Sequence, residues 1–453
     1  MTIDGGTYRA ITTHVFKEPN KENAGFAFAR TGRTPHETRL IVREFLPLED
    51  GDVLAADEIS MSIDSHALAK ALKHADTTDQ CMIFVHSHPK GYADFSTADD
   101  RQEPALFKSA YNRNESEGPH ASLVIPKEGG PRARVWLSDG RSVGVDRIRV
   151  IGSRFTFYDA NSAFESPEYF DRQVLAFGAN TQALLGTLHV AVVGAGGTGS
   201  AVTEQLIRLG VKELSLYDGQ RLENSNVTRV FGSRVTDRGT LKVDILARLA
   251  HEIGLGTIVH TYPSHITDEK TAESLRDADL VFGCTDDEWG RSILNRLAYR
   301  YYIPVIDMGV KVSSLSGTIH SVAGRVTVLA PGTACLFCRE RISVEQITAE
   351  SNITSNPEGA EALRKEGYAP ELPGRDPSVI PFTSSVAAQA ICELFQRITG
   401  FMGNDRASSE VLLMFDQCEI RTNADRIDQR CGCANTKHVG LGDTRDYLGM
   451  LWA

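Results

Sequence analysis

The chain has 453 residues, of which 41% are hydrophobic and 24% charged, and its formal net charge is −11. That length allows two or three domains with ample core, and the acidic balance excludes a broad nucleic-acid footprint. No basic head with an apolar run opens the sequence, and no stretch reaches the roughly 18 apolar residues of a membrane span, so a cytoplasmic protein without membrane contact is expected.

In chain order, AGFAFAR and TRLIVREFLPL, within 15–48, are β-rich runs separated by the turn-like TGRTPHE. A short helix is expected over 64–75, then a buried strand, CMIFVH. HASLVI, ARVWL and IRVIG add strands and close a first mixed α and β block at about residue 153. Residues 154–185 read as a polar connector. A second block, 186–435, opens at LHVAVVGAGGTGS and then alternates strand-like and helical runs, among them KELSLYD, LKVDILARLAHEI, DADLVFGCTDD and IPVIDMG. This alternation predicts an open, doubly wound, mostly parallel α/β sheet. Segment 339–382 is polar and rich in Gly and Pro, and a long loop is expected there. Residues 436–453 are expected to form a tail.

Residues 84–100 read FVHSHPKGYADFSTADD. On a strand, alternate side chains share a face, so His86 and His88 project together and Ser87 points away. Ser96 and Asp99 fit a helix start, with Ser96 at the N-cap. Strand, loop and capped helix would be a complete structural account. Two imidazoles and one carboxylate are equally a three-ligand set for Zn²⁺ with a fourth position open to water. A nearby Glu would then serve as the proton carrier.

Here the sequence resembles the JAMM (MPN-plus) zinc isopeptidases, whose signature is an upstream Glu, H-[ST]-H, seven residues, then S-x-x-D. His86-Ser87-His88, Ser96 and Asp99 match it without a gap, and ENAGFAFA matches the upstream E-x-x-G. The resemblance covers about 1–150. It implies a cytidine-deaminase-like α+β domain over 1–153, with zinc on His86, His88 and Asp99. It also implies Glu22 as the acid/base and Ser96 as a partner of the developing oxyanion. Glu44, in VREFLPL, is the competing candidate for the acid/base.

The second block begins with a buried strand, a glycine turn and an amphipathic helix. Gly194, Gly196 and Gly199 form G-x-G-x-x-G, which permits a tight turn and close approach of backbone to phosphate at a helix N-terminus. Asp218 ends the next strand, where an acid can bond a ribose hydroxyl. Alone this indicates a nucleotide. With NSNVTRVF, GTLKVDILA, CTDDEWGRSILN and the lead-in YFDRQVLAFG, the region from about 166 to 435 resembles the ThiF/MoeB and ubiquitin-activating adenylyltransferases. That resemblance implies a Rossmann-like fold in which Asp218 binds ribose and Asn226, Arg229 and Lys242 contact ATP. It further implies that Asp286 holds Mg²⁺ and that Arg172 reaches the ATP of a partner subunit in a homodimer. Val230 replaces the usual Gln of N-x-x-R-Q. Arg and Lys offset the charge when a carboxylate attacks the α-phosphate, and Mg²⁺ holds the leaving pyrophosphate.

Eight cysteines in a chain of this length are not a disulfide framework. Cys335 with Cys338, and Cys431 with Cys433, provide four thiolates suited to a closed, structural zinc site, although the second pair is C-x-C where the family has C-x-x-C. Segment 339–382 contains no cysteine that could carry a thioester. Cys81 and Cys284 lie in buried strand patterns, Cys418 follows a strand, and Cys392 lies in an apolar helix and is expected in the core.

The whole resembles bacterial fusions of a JAMM peptidase to a ThiF-type activating enzyme. It implies ATP-dependent adenylation of the C-terminal glycine of a ubiquitin-like protein, with zinc-dependent processing or deconjugation by the other domain. A conjugating enzyme is the expected acceptor. The alternatives are a sulfur-carrier pathway of cysteine or siderophore type, and an inactive binder of a ubiquitin-like partner.

Overall fold

Two sheets carry the chain in this computed structural model, one of nine strands and one of eight, beside a two-stranded ribbon. The structure describes residues 1–56, 61–90, 93–113, 119–159, 167–355, 377–404, 406, 408–423, 426–435, 437–443, 446–450 and 452. Contacts divide the chain into unit 1, Met1–Ser162 with Val439–Asp443, and unit 2, Ala163–His438 with Thr444–Ala453. Among the described residues no helix is long and apolar enough to cross a membrane.

Unit 1 runs β1 (Thr2–Asp4), α1 (Gly5–Val15), β2 (Ala24–Arg33), β3 (Thr38–Pro47), β4 (Val53–Ala56), β5 (Met61–Ile63), α2 (Ser65–Thr78) and β6 (Cys81–His88). It continues through α3 (Thr97–Arg113), β7 (His120–Pro126), β8 (Arg132–Trp136), β9 (Ser142–Gly144), β10 (Arg147–Ile151) and β11 (Phe155–Asp159). The nine strands lie in the order β11-β10-β1-β3-β2-β6-β7-β8-β9. Strand alternation divides the core between the two faces. Ala27 and Ala29 of β2, with Cys81, Ile83 and Val85 of β6, pack with Ile11 and Val15 of α1. Phe26 and Phe28, with Met82, pack against Leu72 of α2 and Phe107 of α3 on the other face.

Unit 2 opens with α4 (Asp171–Phe177), α5 (Ala179–Leu185), β12 (His189–Val193), α6 (Gly197–Arg208), β13 (Glu213–Tyr217), α7 (Lys242–Ile253), β14 (Ile258–Tyr262) and α8 (Glu269–Glu273). Then come β15 (Leu280–Gly283), α9 (Glu288–Arg300), β16 (Val305–Leu315), β17 (Thr318–Leu329), α10 (Val344–Ser355), α11 (Ile380–Thr399), β18 (Glu410–Met414) and β19 (Glu419–Asn423). The order β14-β13-β12-β15-β16-β17-β18-β19 is parallel through β16 and antiparallel beyond it. Strand order reverses around β12, so the crevice of a doubly wound sheet opens where the glycine turn follows β12. The mixed first block and the doubly wound second block are both as expected.

Three local expectations fail. The expected connector begins with β11, which pairs antiparallel with β10 along its whole length; aromatic FTFYD packs as an edge strand despite its polar flank. Part of the expected loop 339–382 is α10, whose polar sequence hides it. Ser343 Oγ accepts from Gln346 N at its start, Ser343 N donates to Glu288, and Trp289 N donates to Glu350. Residues 356–376 of that expected loop lie outside the described residues. Nor is the C-terminal segment a tail: Val439–Asp443 belongs with unit 1, and in unit 2 the buried Tyr447 donates its hydroxyl to Ala272 O.

Glu410 ties the antiparallel half of unit 2 together. Its buried carboxylate accepts from Arg341 Nε and Nη2 at 3.1 and 2.9 Å, from Asn423 Nδ2 at 2.6 Å and from Thr327 Oγ1 at 3.0 Å. Burial pushes this carboxyl up, but Arg341, Asn423 and Arg339 outweigh it and hold it at about 2. Glu410→Gln leaves buried guanidinium without its counter-charge and is expected to cost ~3–5 kcal/mol in denaturant unfolding at neutral pH. Because the folded value lies below the ordinary 4.5, the stability is present above pH 4.5 and is lost as pH falls toward 2. The difference between wild type and variant should shrink over that window.

Candidate active sites

In unit 1 the alternation of β6 puts His86 and His88 on the face of Met82, the side that packs against α3. Asp99 stands in the first turn of α3. His86 Nε2 lies 3.2 Å from Asp99 Oδ1, His88 Nε2 lies 3.3 Å from Asp99 Oδ2, and the two imidazole nitrogens are 3.2 Å apart. The hydrogen bonds of the helix-cap account are present, and the same fold brings the three side chains of the ligand account together. Ser96 N and Oγ donate to Asp99 Oδ2 at 2.6 and 2.7 Å, and Asp99 N donates back to Ser96 Oγ at 3.2 Å. Burial opposes the charge on Asp99, but His86, His88 and Ser96 hold its carboxyl well below the usual range.

Glu22, buried beside this cluster, brings Oε1 to 3.9 Å from His88 Nε2. The rival Glu44 faces elsewhere, with Oε2 3.0 Å from His74 Nε2 and Oε1 accepting from Gln80. Two devices fix Glu22. Ser87, which sequence reasoning left without a task, donates its N–H to Asn23 O and accepts from Asn23 N, 3.1 Å each. Gly25 lies so close to β3 that a Cβ there would stand 2.4 Å from the Phe45 ring and 2.8 Å from Leu46 O. His86, His88 and Asp99 offer three ligand atoms within 4.8 Å of one another. Two imidazoles and a carboxylate, converging under burial, fit a zinc ion.

In unit 2 the glycine turn between β12 and α6 is packed as well as pivoted. Gly194 has φ +94°, and a Cβ on it would meet Cys284 O at 2.7 Å. A Cβ on Gly199 would lie 1.7 Å from Gly194 O, whereas Gly196 has open space. Asp218 accepts from Ala195 N at 2.8 Å and Gln220 N at 2.7 Å, so it ties the end of β13 to this turn. Lys242, buried at the start of α7, donates to Gln220 Oε1 at 2.6 Å and lies 3.9 Å from Asp218. Gln220 carried no sequence signal. Asn226 Oδ1 accepts from Glu223 N, and Arg229 is half-buried three residues on. Phe231 N donates to Ser200 Oγ and fastens that segment to α6. Asp286 is exposed just after Thr285, whose N lies near Gly194, while the adjacent Asp287 caps α9. Arg172 stands apart. It is exposed on α4, and the neighbouring Gln173 bonds Arg208 O at the far end of α6, ~16 Å along a twelve-residue helix from the glycine turn.

The four paired cysteines converge. Sγ separations are 3.8 Å for Cys335–Cys338 and 3.5 Å for both Cys335–Cys431 and Cys338–Cys433. A short 3-10 turn at Gly432–Ala434 brings both thiols of the C-x-C pair inward. Hydrogen bonding from Cys433 draws Cys335 down to about 5, and burial pushes Cys431 up to about 11. The set fits a closed tetrahedral zinc site. Cys392 contradicts its core assignment, because it lies on the exposed side of α11. An apolar helix buries one stripe, and position 392 falls off it. Burial and Glu393 still push its thiol up, so it lacks the environment of an activated nucleophile.

The glycine geometry separates two substitutions. Gly199→Ala must displace the turn and is expected to lower the melting temperature of unit 2 by several degrees. Gly196→Ala should leave it within about one degree, on the scale of ~4–8 °C per kcal/mol for small domains and less for larger ones. Calorimetry of the full chain checks both.

Residues 170–435 match the profile of the ThiF family, and residues 6–137 match that of prokaryotic homologs of the JAB domain. The adenylyltransferase and sulfurtransferase UBA4 of Meyerozyma guilliermondii is 30% identical over 147 residues, 32% of this chain and 35% of that protein. Ubiquitin-like modifier-activating enzyme 5 of Drosophila mojavensis is 24% identical over 259 residues, 53% of this chain and 58% of that protein. The chain thus spans between about a third and three-fifths of the length of these curated relatives. A crystal structure of Escherichia coli MccB with succinimide superposes with a TM-score of 0.46 at 20% identity, covering 59% of this chain and 74% of that one. With more than half of its length matched, the chain belongs to the ThiF family and joins that domain to an N-terminal JAB domain.

Proposed function

We propose that unit 2 uses ATP to adenylate the C-terminal glycine of a ubiquitin-like protein, and that unit 1 hydrolyses peptide or isopeptide bonds made by the same terminus. The observation that carries the reading is Glu22, buried 3.9 Å from His88 in the His86, His88, Asp99 cluster, within a chain whose other domain is of the ThiF family. A zinc ion on that cluster would supply Lewis acidity and a more acidic water. Glu22 accepts the proton of the attacking water and returns it to the leaving amine. Ser96, whose hydroxyl donates to Asp99, would rotate about χ1 to meet the oxyanion. In unit 2 the amides of the glycine turn and the start of α6 receive phosphate. Asp218 serves the ribose, and Asn226, Arg229 and Lys242 offset the charge of the two approaching anions. Asp286 would hold Mg²⁺ against the leaving pyrophosphate.

We read the chain as a homodimer. Arg172 is exposed on α4, and its neighbour Gln173 bonds Arg208 O at the end of α6 remote from the glycine turn, which favours service to a partner's ATP over its own. We read the Cys335, Cys338, Cys431, Cys433 zinc as structural, and a conjugating enzyme or other external nucleophile as the acceptor of the adenylate. The exposed position of Cys392 removes the core-burial argument against a thioester on that residue, and its raised thiol supplies another, while segment 339–382 still offers no cysteine.

Glu22→Ala should keep two zinc ions per chain and lose cleavage beyond the terminal glycine by about 10²–10⁴-fold. His88→Ala should lose one of the two zinc ions. Elemental analysis with a cleavage assay on a C-terminally extended ubiquitin-like protein checks this, and full cleavage by Glu22→Ala would remove the assignment.

For adenylation, Asp286→Ala should abolish ATP–pyrophosphate exchange. Arg172→Ala should do so as well, yet a mixture of the two proteins should recover part of the exchange, because a mixed dimer contains one site that lacks neither group. Absence of recovery with mixed dimers demonstrably formed would refute sharing across the interface.

A further inference from the structure

Arg134, on β8, has no part in the sequence signature, yet it touches the chain on both sides of Asp99, at Phe95 before it and at Asp100 and Glu103 after it. Its Nη1 donates to Asp100 Oδ1 at 2.6 Å and its Nε to Glu103 Oε2 at 2.9 Å. Asp100 and Glu103 stand one and four positions after Asp99 on α3. The guanidinium carbon lies 4.0 Å from the ring centroid of Phe95, the residue before Ser96, and 5.1 Å from that of Trp136. Glu103 is buried, and its Oε2 also accepts from Ser122 Oγ at 2.6 Å and Trp136 Nε1 at 3.0 Å, so the anchor is fixed to the sheet at β7 and β8. Phe95 in turn lies 6.4 Å, ring to ring, from His86.

We infer that Arg134 is a positioning residue, a clamp that holds the Phe95–Ser96 loop and the first turn of α3 in the register at which Asp99 meets His86 and His88. The inference rests on the peptidase reading of that cluster. The physical reason is the shape of the group. A planar guanidinium donates in its plane to two carboxylates and stacks through its face on aromatic rings, and an ammonium can do only the first. Asp99 is capped by Ser96, so a loop free to shift at Phe95 carries the carboxylate away from the imidazoles. Groups that orient metal ligands typically contribute ~10–100-fold to metal affinity.

The test uses the full chain with cobalt(II) as probe. The tetrathiolate site gives strong thiolate-to-metal absorption and the His, His, Asp site does not, so the two are titrated separately. Arg134→Lys and Phe95→Leu should each weaken the second metal by about ten-fold while the tetrathiolate site is unchanged. The double variant should lose little more than Arg134→Lys alone, since Phe95 acts through the guanidinium. Arg141→Lys, on the neighbouring turn, where Arg141 pairs with Asp139, should have no effect. Retention of the second metal within about two-fold by both folded variants overturns the clamp and leaves the peptidase reading standing. A wild-type chain that takes up metal only at the cysteines overturns both. If Arg134→Lys does not fold, Phe95→Leu decides by the same criterion.

Discussion

Unit 1 depends on the period-two alternation of β6. The same strand that sends Ile83 and Val85 to the α1 side sends Met82, His86 and His88 to the side of α2 and α3. A slip of one residue would bury both imidazoles in the aliphatic layer and turn the aliphatic residues toward Asp99. Core and His–Asp cluster are therefore specified by one pattern. Ser87 uses the opposite face to grip Asn23, which sets Glu22 one residue away. The capping box at Ser96 and Asp99 works in the same economical way: the hydrogen bonds that start α3 also aim a carboxylate at two histidines.

The two units meet opposite electrostatic demands. Unit 1 converges two imidazoles and a carboxylate on a small volume, an arrangement suited to a cation. Unit 2 converges backbone amides and a buried Lys242 near a glycine turn, an arrangement suited to anions. Asp218 prevents the latter from becoming a site of uncompensated charge, since it accepts from the turn itself and lies beside Lys242. Its two oxygens accept from Ala195 N and Gln220 N, so Asp218 orders the turn itself.

Both folds were legible wherever periodicity was strong. The switch from mixed elements to alternating strands and helices marked the second sheet, and HSH with its seven-residue spacing marked the cluster that the structure gathers. What was not legible depends on contacts remote in sequence. α10 is a polar segment made a helix by Glu288, Trp289 and Glu350, which no local pattern announces. Cys392 misled because an apolar helix of twenty residues still has an outer side. Gln220, Ser87 and Arg134 carry no motif, since their value lies in the partner they reach. The choice between Glu22 and Glu44 was open on spacing alone, and Gly25 shows why E-x-x-G was informative: only hydrogen fits between β2 and the Phe45 ring.

The segment Val439–Asp443 bonds to β2 beyond the point where β6 stops. β2 pairs with β6 from Ala24 to Ala29, and beyond that limit Asp443 N donates to Thr31 O while Arg33 N donates to Asp443 Oδ2. Arg43 Nε likewise donates to Val439 O. A ribosome releases the chain from its N-terminus, and domains generally fold as they emerge. The bonds that join Thr31 and Arg33 to Asp443 form only after a segment 410 residues further along from Arg33 has been made. For these positions the order of synthesis and the order of hydrogen bonding differ, since β2 and β3 are made long before the segment that Arg33 and Arg43 bond.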